Sequence, residues 1–138
     1  MRKIYIVSDT HLEFRKDKQA SQVNLIASDS ADSFLALPGD IGNPFITAYY
    51  DFIERHSQRF KHVFVVSGNH EYYSSNKKQR TMKEIDEKLE SIADAFPNVS
   101  FLQKKQILLD DILFMGCTLW SPADEMCEML MNDYSEIY

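Results

Sequence analysis

Val63-Phe64-Val65-Val66-Ser67-Gly68-Asn69-His70-Glu71 is the stretch on which the fold turns. Four β-branched or aromatic residues run unbroken and then stop at a polar turn, as a strand buried on both faces does when it reaches the edge of a parallel sheet. Two earlier stretches share the plan: Ile4-Tyr5-Ile6-Val7 stops at Ser8-Asp9, and Ser33-Phe34-Leu35-Ala36-Leu37 stops at Pro38-Gly39-Asp40. Helical patterns lie between them. Phe45, Tyr49, Phe52, Ile53 and His56 recur on one helix face, with Asn43 placed to N-cap and Pro44 at the first helical position. Met82, Ile85, Leu89, Ile92 and Phe96 make a second face before Pro97 stops it, and a weaker pattern covers roughly residues 19–28. Strand and helix alternate at about 30 residues, the length of a βαβ unit, which predicts an α/β layered fold. After Pro97 the pattern predicts a meander of short strands over residues 99–102, 106–109 and 112–117, with Asp110-Asp111 as a hairpin turn.

The chain has 138 residues, which at roughly 100–200 residues per domain reads as a single domain. Hydrophobic residues make up 44% and glycine and proline number only 4 each, so neither a disordered nor a low-complexity chain is indicated. A net charge of −6 disfavours nucleic acid and anionic membranes as partners but admits a small phosphorylated substrate held at a metal. Cys117 and Cys127 offer neither a disulfide framework nor a zinc spacing, so a reducing compartment fits, and no apolar run approaches the ~20 residues of a membrane span. The expectation is a cytoplasmic protein. No lysine or arginine follows Lys105, while Asp124, Glu125, Glu128, Asp133 and Glu136 gather around Met126, Met129, Leu130 and Met131, a tail whose apolar residues have no later strand to cover them.

In open α/β sheets the ligand site lies beyond the carboxyl ends of the strands, where all three polar clusters fall. Asp9 and His11, one residue apart, would project to the same side of extended backbone and could reach one divalent cation; an isolated Asp-x-His is more often a turn cap beside a loop histidine. Asp40 follows Gly39, whose missing Cβ permits a close approach, and its carboxylate could bridge two cations or simply sit near a helix start. Gly68-Asn69-His70-Glu71 supplies an amide oxygen that ligates without charge and an imidazole that can donate a proton; its bland reading is an ordinary Gly-Asn turn. Their order, each cluster after an apolar strand, shifts the balance toward function.

These clusters, Asp9-Thr10-His11, Gly39-Asp40 and Gly68-Asn69-His70-Glu71, resemble the pattern of the calcineurin-like metallophosphoesterases over about residues 3–120. The resemblance implies a layered αββα sandwich, represented here by its N-terminal βαβ half. It places Asp9 and His11 on one metal, Asp40 bridging to a second, Asn69 on that second metal and His70 at the scissile phosphate. The implied reaction is hydrolysis of a phosphate mono- or diester by two divalent ions, Mn, Fe or Zn, without a covalent enzyme intermediate. Thr118-Leu119-Trp120-Ser121 is similar to a segment of some bacterial members. The family pattern continues with a further histidine and a Gly-His-x-His, whereas no histidine follows His70 here. The second metal would keep only Asp40 and Asn69, so the expectation is a half-site in a domain truncated at its C-terminus.

Neither remaining histidine fills the gap. His62 precedes its strand and so lies on the order of 15 Å from Asn69, and His56 falls on the apolar helix face, where a packing histidine is the common case. Lys77-Lys78-Gln79-Arg80 reads as a solvated surface run, while Tyr72-Tyr73 suit a substrate pocket and a loop shield equally. A phosphotransferase using Asp9 as nucleophile would want a second carboxylate where His11 stands. The main alternative is a decayed or truncated domain kept as a non-catalytic binding or interaction module. An uncovered apolar sheet face would in either case favour self-association or a complementing segment.

Overall fold

A computed structural model of the chain describes residues 3–15, 30–74 and 79–138. Strands β1 (Ile4–Ile6), β2 (Ser30–Pro38), β3 (Phe60–Val66) and β4 (Val99–Phe101) form one parallel sheet in that order. Helix α1 (Thr47–Ser57) connects β2 to β3; a single turn, α2 (Asn69–Tyr72), and then α3 (Met82–Asp94) connect β3 to β4. The α/β reading holds. The pattern over residues 19–28 lies outside the described residues.

The predicted meander is partly overturned. Residues 99–101 do not open a hairpin but pair parallel with β3, Val63 opposite Val99 and Val65 opposite Phe101. Helix α3 carries the chain back to the starting edge of the sheet, so the next strand must run in the same direction as β3. The antiparallel hairpin, β5 (Lys105–Leu109) with β6 (Ile112–Gly116), follows only after that. Its turn is Asp110-Asp111, as expected, with φ of 51° and 63°, the left-handed pair that a two-residue hairpin needs. A second correction concerns α1: Ile46, not Asn43, is its N-cap, and the Asn43 carboxamide oxygen instead accepts from the Phe45 amide in the turn ahead of the helix. Phe45 therefore drops off the buried helix face and carries the Arg80 guanidinium 3.6 Å from its ring centroid, so Arg80 is not merely solvated.

Register sorts the strand residues onto two faces. Tyr5, Leu35, Leu37, Val63, Val65, Val99 and Phe101 face the helices and pack against Tyr49, Phe52 and Ile53 of α1 and Ile85, Leu89 and Ile92 of α3. On the opposite face the hairpin lays Ile107, Leu109, Ile112 and Phe114 over Phe34, Phe64 and Leu102, with Phe114 stacked 4.1 Å from Phe64. Val63–Val66 is thus covered from both sides. The first strand is not: Ile4 and Ile6 are 46% and 69% exposed, because the hairpin reaches only across β2 and β3. The hairpin's outer face also stays bare at Leu108, Leu113 and Met115. Beyond it, α4 (Glu125–Leu130) and α5 (Asp133–Glu136) bury nothing, although the last residues fold back so that the Ser74 and Met82 amides donate to the Glu136 and Tyr138 carbonyls. No helix among the described residues is long and apolar enough to cross a membrane.

His56 sits fully buried between Phe52 and Phe60, its Nδ1 2.7 Å from the Phe52 carbonyl and its Nε2 without a hydrogen-bond partner among the described residues. Burial lowers its pKa from the ordinary 6.5, and burial also lowers that of His62. The unfolded chain therefore takes up protons that the folded chain resists. The stability due to these neutral rings is present above the unfolded value near 6.5 and is lost as pH falls through the lower folded values. Thermal melts should drop by several degrees between neutral pH and pH ~5.5, and His56→Leu should lose part of that slope; parallel slopes in the two proteins would contradict it.

Candidate metal centre

The three polar clusters meet at the carboxyl ends of β1, β2 and β3. Asp9, Asp40 and His11 have φ of 57°, 55° and 46°, in the left-handed region, so the extended backbone expected through Asp9-Thr10-His11 is not what brings its side chains together. Each such residue costs about 1–3 kcal/mol, and strain of this kind persists where the surroundings over-determine it. Here the surroundings are a ladder between two loops: the Asp9, His11 and Leu12 amides donate to the Gly39, Asp40 and Ile41 carbonyls at 3.2, 3.0 and 2.9 Å. The Thr10 hydroxyl adds a bond to the Ile41 carbonyl at 2.9 Å.

Glu71 fastens the third loop to these two. Its buried carboxylate accepts the amides of Asp40 (2.9 Å), Ile41 (2.7 Å), Gly42 (3.1 Å) and Gly68 (2.7 Å). Burial pushes this carboxyl up from the ordinary glutamate value, and the four amides pull it back. The clamp draws the two loop backbones into contact, which only glycine allows: a Cβ on Gly68 would stand 2.2 Å from Asp40 Oδ1, and one on Gly39 would stand 2.7 Å from the Gly68 Cα.

Inside this frame Asp9, His11 and Asp40 each offer a donor atom within 4.8 Å of the others. Asp9 is mostly exposed, with Oδ1 4.0 Å from His11 Nε2, and Asp40 Oδ1 accepts the His70 amide at 3.0 Å, leaving its other oxygen available. Two carboxylates and an imidazole are a donor set that a first-row divalent cation accepts. Asn69 lies between Gly68 and His70, both of which touch Asp40; its amide nitrogen donates to the Tyr73 hydroxyl at 3.0 Å, so its oxygen is the donor left for a cation. The His70 ring stacks on Tyr73 at 4.4 Å and meets the His11 ring edge at 4.4 Å. All five expected site residues therefore gather at one sheet edge, while His56 and His62 stay in the protein interior, His62 with Nε2 2.8 Å from Ser100 Oγ.

The family model for calcineurin-like phosphoesterases matches residues 2–133. The chain belongs to this family. An uncharacterized protein of Acanthamoeba polyphaga mimivirus is 38% identical over 143 residues, covering 97% of this chain and 51% of the viral protein. The chain thus spans about half the length of the curated relative it matches. Among solved structures, the phosphopantetheinyl hydrolase of Mycobacterium tuberculosis superposes with a TM-score of 0.60 at 19% identity, over 79% of this chain and 38% of the other, a likeness of fold. The architecture is accordingly the α/β fold of a metallophosphoesterase domain.

Sequence reading missed the roles of two residues, Glu71 and Glu13. Glu71 is visible only as the acid after Gly-Asn-His, and nothing in one dimension says that it points inward. Glu13 stands two residues beyond His11, and its Oε1 lies 3.1 Å from His11 Nδ1 and 3.3 Å from His70 Nδ1. Tyr72 and Tyr73 differ in setting: the Tyr73 ring stacks on His70, whereas Tyr72 is fully buried and its hydroxyl joins Ser67, Asp86 and Gln103. Thr118 completes that network by donating to the Ser67 carbonyl at 2.6 Å, which ties the segment after β6 to the end of β3.

Glu71→Gln keeps the shape but turns an amide NH2 toward two of the four backbone donors. At about 1–3 kcal/mol for each buried donor left unmade, the loss should be about 2–6 kcal/mol by urea unfolding. A change within 0.5 kcal/mol, about the size of a neutral surface substitution, would show that the clamp carries no such weight.

Proposed function

We propose that the chain is the metal-binding part of a phosphoesterase that hydrolyses a phosphate mono- or diester at a two-metal centre. The observation that carries this reading is the convergence of Asp9, His11 and Asp40 within 4.8 Å, with His70 bonded through its amide to Asp40. Asp9, His11 and Asp40 would hold the first cation, and Asp40 with Asn69 would begin the second position. Manganese, iron or zinc suits these nitrogen and oxygen donors. Such ions, when bound, lower the pKa of a water and neutralise phosphoryl oxygens. His70 would stand at the leaving group: as the water oxygen bonds to phosphorus and the ester P–O bond breaks, its imidazolium gives the departing oxygen a proton. The acidic balance of the chain agrees with metal ions, rather than lysine or arginine, meeting the substrate's charge.

The second position has two protein ligands in this sequence, fewer than a dinuclear hydrolase ordinarily uses. The remaining ligands would come from outside these 138 residues, as the half-length match to the viral relative suggests. The bare face at Ile4, Ile6 and the outer hairpin is where a complementing segment or a second copy would dock. The rival reading, a non-catalytic module on the same fold, rests on that same shortage of ligands.

Calorimetric titration of the 138-residue chain with Mn²⁺ should give one measurable site, abolished by Asp40→Asn, and a second that is weak or undetected. Two tight sites would reveal a ligand source not recognised above, and none would favour the module. In the form of the protein that turns over p-nitrophenyl phosphate, His70→Asn should lower kcat by about 10²–10⁴-fold with metal content unchanged. Loss of the metal in that variant would move His70 into the coordination sphere.

A further inference from the structure

We propose that Glu13 is a positioning residue that sets the tautomer and orientation of both His11 and His70 from one carboxylate; the inference rests on the phosphoesterase reading for its functional meaning, though not for its test. Glu13 is the middle residue of a single 3₁₀ turn, Leu12–Phe14, that begins straight after the left-handed His11. This turn brings its side chain back under the two imidazoles. Its Oε1 stands 3.1 Å from His11 Nδ1 and 3.3 Å from His70 Nδ1, and a carboxylate oxygen has two lone pairs with which to accept both. An ionised carboxylate only accepts, so each ring must carry a hydrogen on Nδ1, and when neutral it presents a bare Nε2. For His11 that is the atom facing Asp9, at 4.0 Å, which is the nitrogen a cation at Asp9, His11 and Asp40 would use. For His70 it is the atom that, once protonated, would carry the hydrogen given to a leaving oxygen.

The surroundings commit Glu13 to this place. Its other oxygen, Oε2, is buried without a hydrogen-bond partner among the described residues. It is lodged against Gly42, where a Cβ would come within 2.9 Å of it and within 2.9 Å of the Leu12 Cβ. The carboxylate therefore has room only because residue 42 has no side chain, and among the described residues its desolvated oxygen is offset by no other bond than those Oε1 makes to the two rings. A carboxylate behind a metal-ligating histidine fixes the ring and raises its basicity, and losing one typically costs 10–100-fold in metal affinity, a range of about that size being expected here. One carboxylate behind two histidines also couples them: a displacement of Glu13 turns the ligand and the proton donor together.

Two-bond ¹⁵N–¹H correlation spectra of the metal-free 138-residue chain, at about pH 8 where ordinary imidazoles are neutral, read the tautomer of each histidine directly. His11 and His70 should both be Nδ1–H. In Glu13→Ala both should revert toward Nε2–H and Mn²⁺ affinity should fall about 10–100-fold, while Glu13→Gln, which keeps one carbonyl acceptor, should recover part of each. Nε2–H rings in the wild-type chain overturn the proposal without any variant, as do unchanged tautomers and unchanged Mn²⁺ affinity in a folded Glu13→Ala. Because the tautomer readout needs neither metal nor turnover, Nδ1–H rings in a chain that binds no Mn²⁺ would sustain the Glu13 assignment and count against the phosphoesterase reading alone.

Discussion

One buried carboxylate holds the centre together. The loops after β2 and β3 both end strands of the same sheet, and nothing in strand pairing requires their backbones to touch. Glu71 makes them touch by accepting three amides from one loop and one from the other. Left-handed Asp40 and its glycine neighbours turn successive amides toward a common point, the concave donor arrangement that suits an anion. Here the anion is a side chain of the protein itself. With that pocket filled internally, the faces of Asp40, Asn69 and His70 that point the other way are fixed for a ligand.

Strain and cross-linking are two aspects of one arrangement. Asp9, His11 and Asp40 would relax to ordinary backbone angles if their loops were independent, and His11, with its bulky ring, has less native tolerance for the left-handed region than the two aspartates. The backbone ladder from Asp9, His11 and Leu12 to Gly39, Asp40 and Ile41 prevents this. A site assembled so carries its donors on main-chain geometry rather than on rotamers alone, which favours a cation by reducing what must be ordered when it binds.

The sheet itself is asymmetric. Its helix side is a closed core of aliphatic and aromatic residues, while among the described residues its other side is covered only by the hairpin, where Phe114 and its neighbours meet Phe34, Phe64 and Leu102. The uncovered strip follows β1, the edge strand that also delivers Asp9 and His11. Whatever covers Ile4 and Ile6 would therefore bear on the strand that positions two of the candidate metal donors, so completion of the fold and firmness of the site are linked through β1.

Much of this was legible in one dimension. Uninterrupted apolar runs ending in Asp9, Asp40 and His70, separated by helix-length patterns, determined a parallel sheet with its polar residues at one edge, because a strand buried on both faces cannot carry them anywhere else. The hairpin turn at Asp110-Asp111 was legible for the same kind of reason, a local backbone requirement met by residues that tolerate it. Where local signals competed with the path of the chain they lost: residues 99–101 have the composition of a hairpin strand and became a parallel one because α3 returns the chain to the starting edge. The tertiary structure alone decided the roles of Glu13 and Glu71. Both are ordinary acidic residues beside a motif, and a carboxylate's partners depend on which backbone amides and rings the loops bring within hydrogen-bonding distance, a three-dimensional fact with no periodicity to betray it. Residue type and order settled which chemistry could gather at this edge; only the packing of three loops against one another settled which atoms face the candidate site and which hold the others in place.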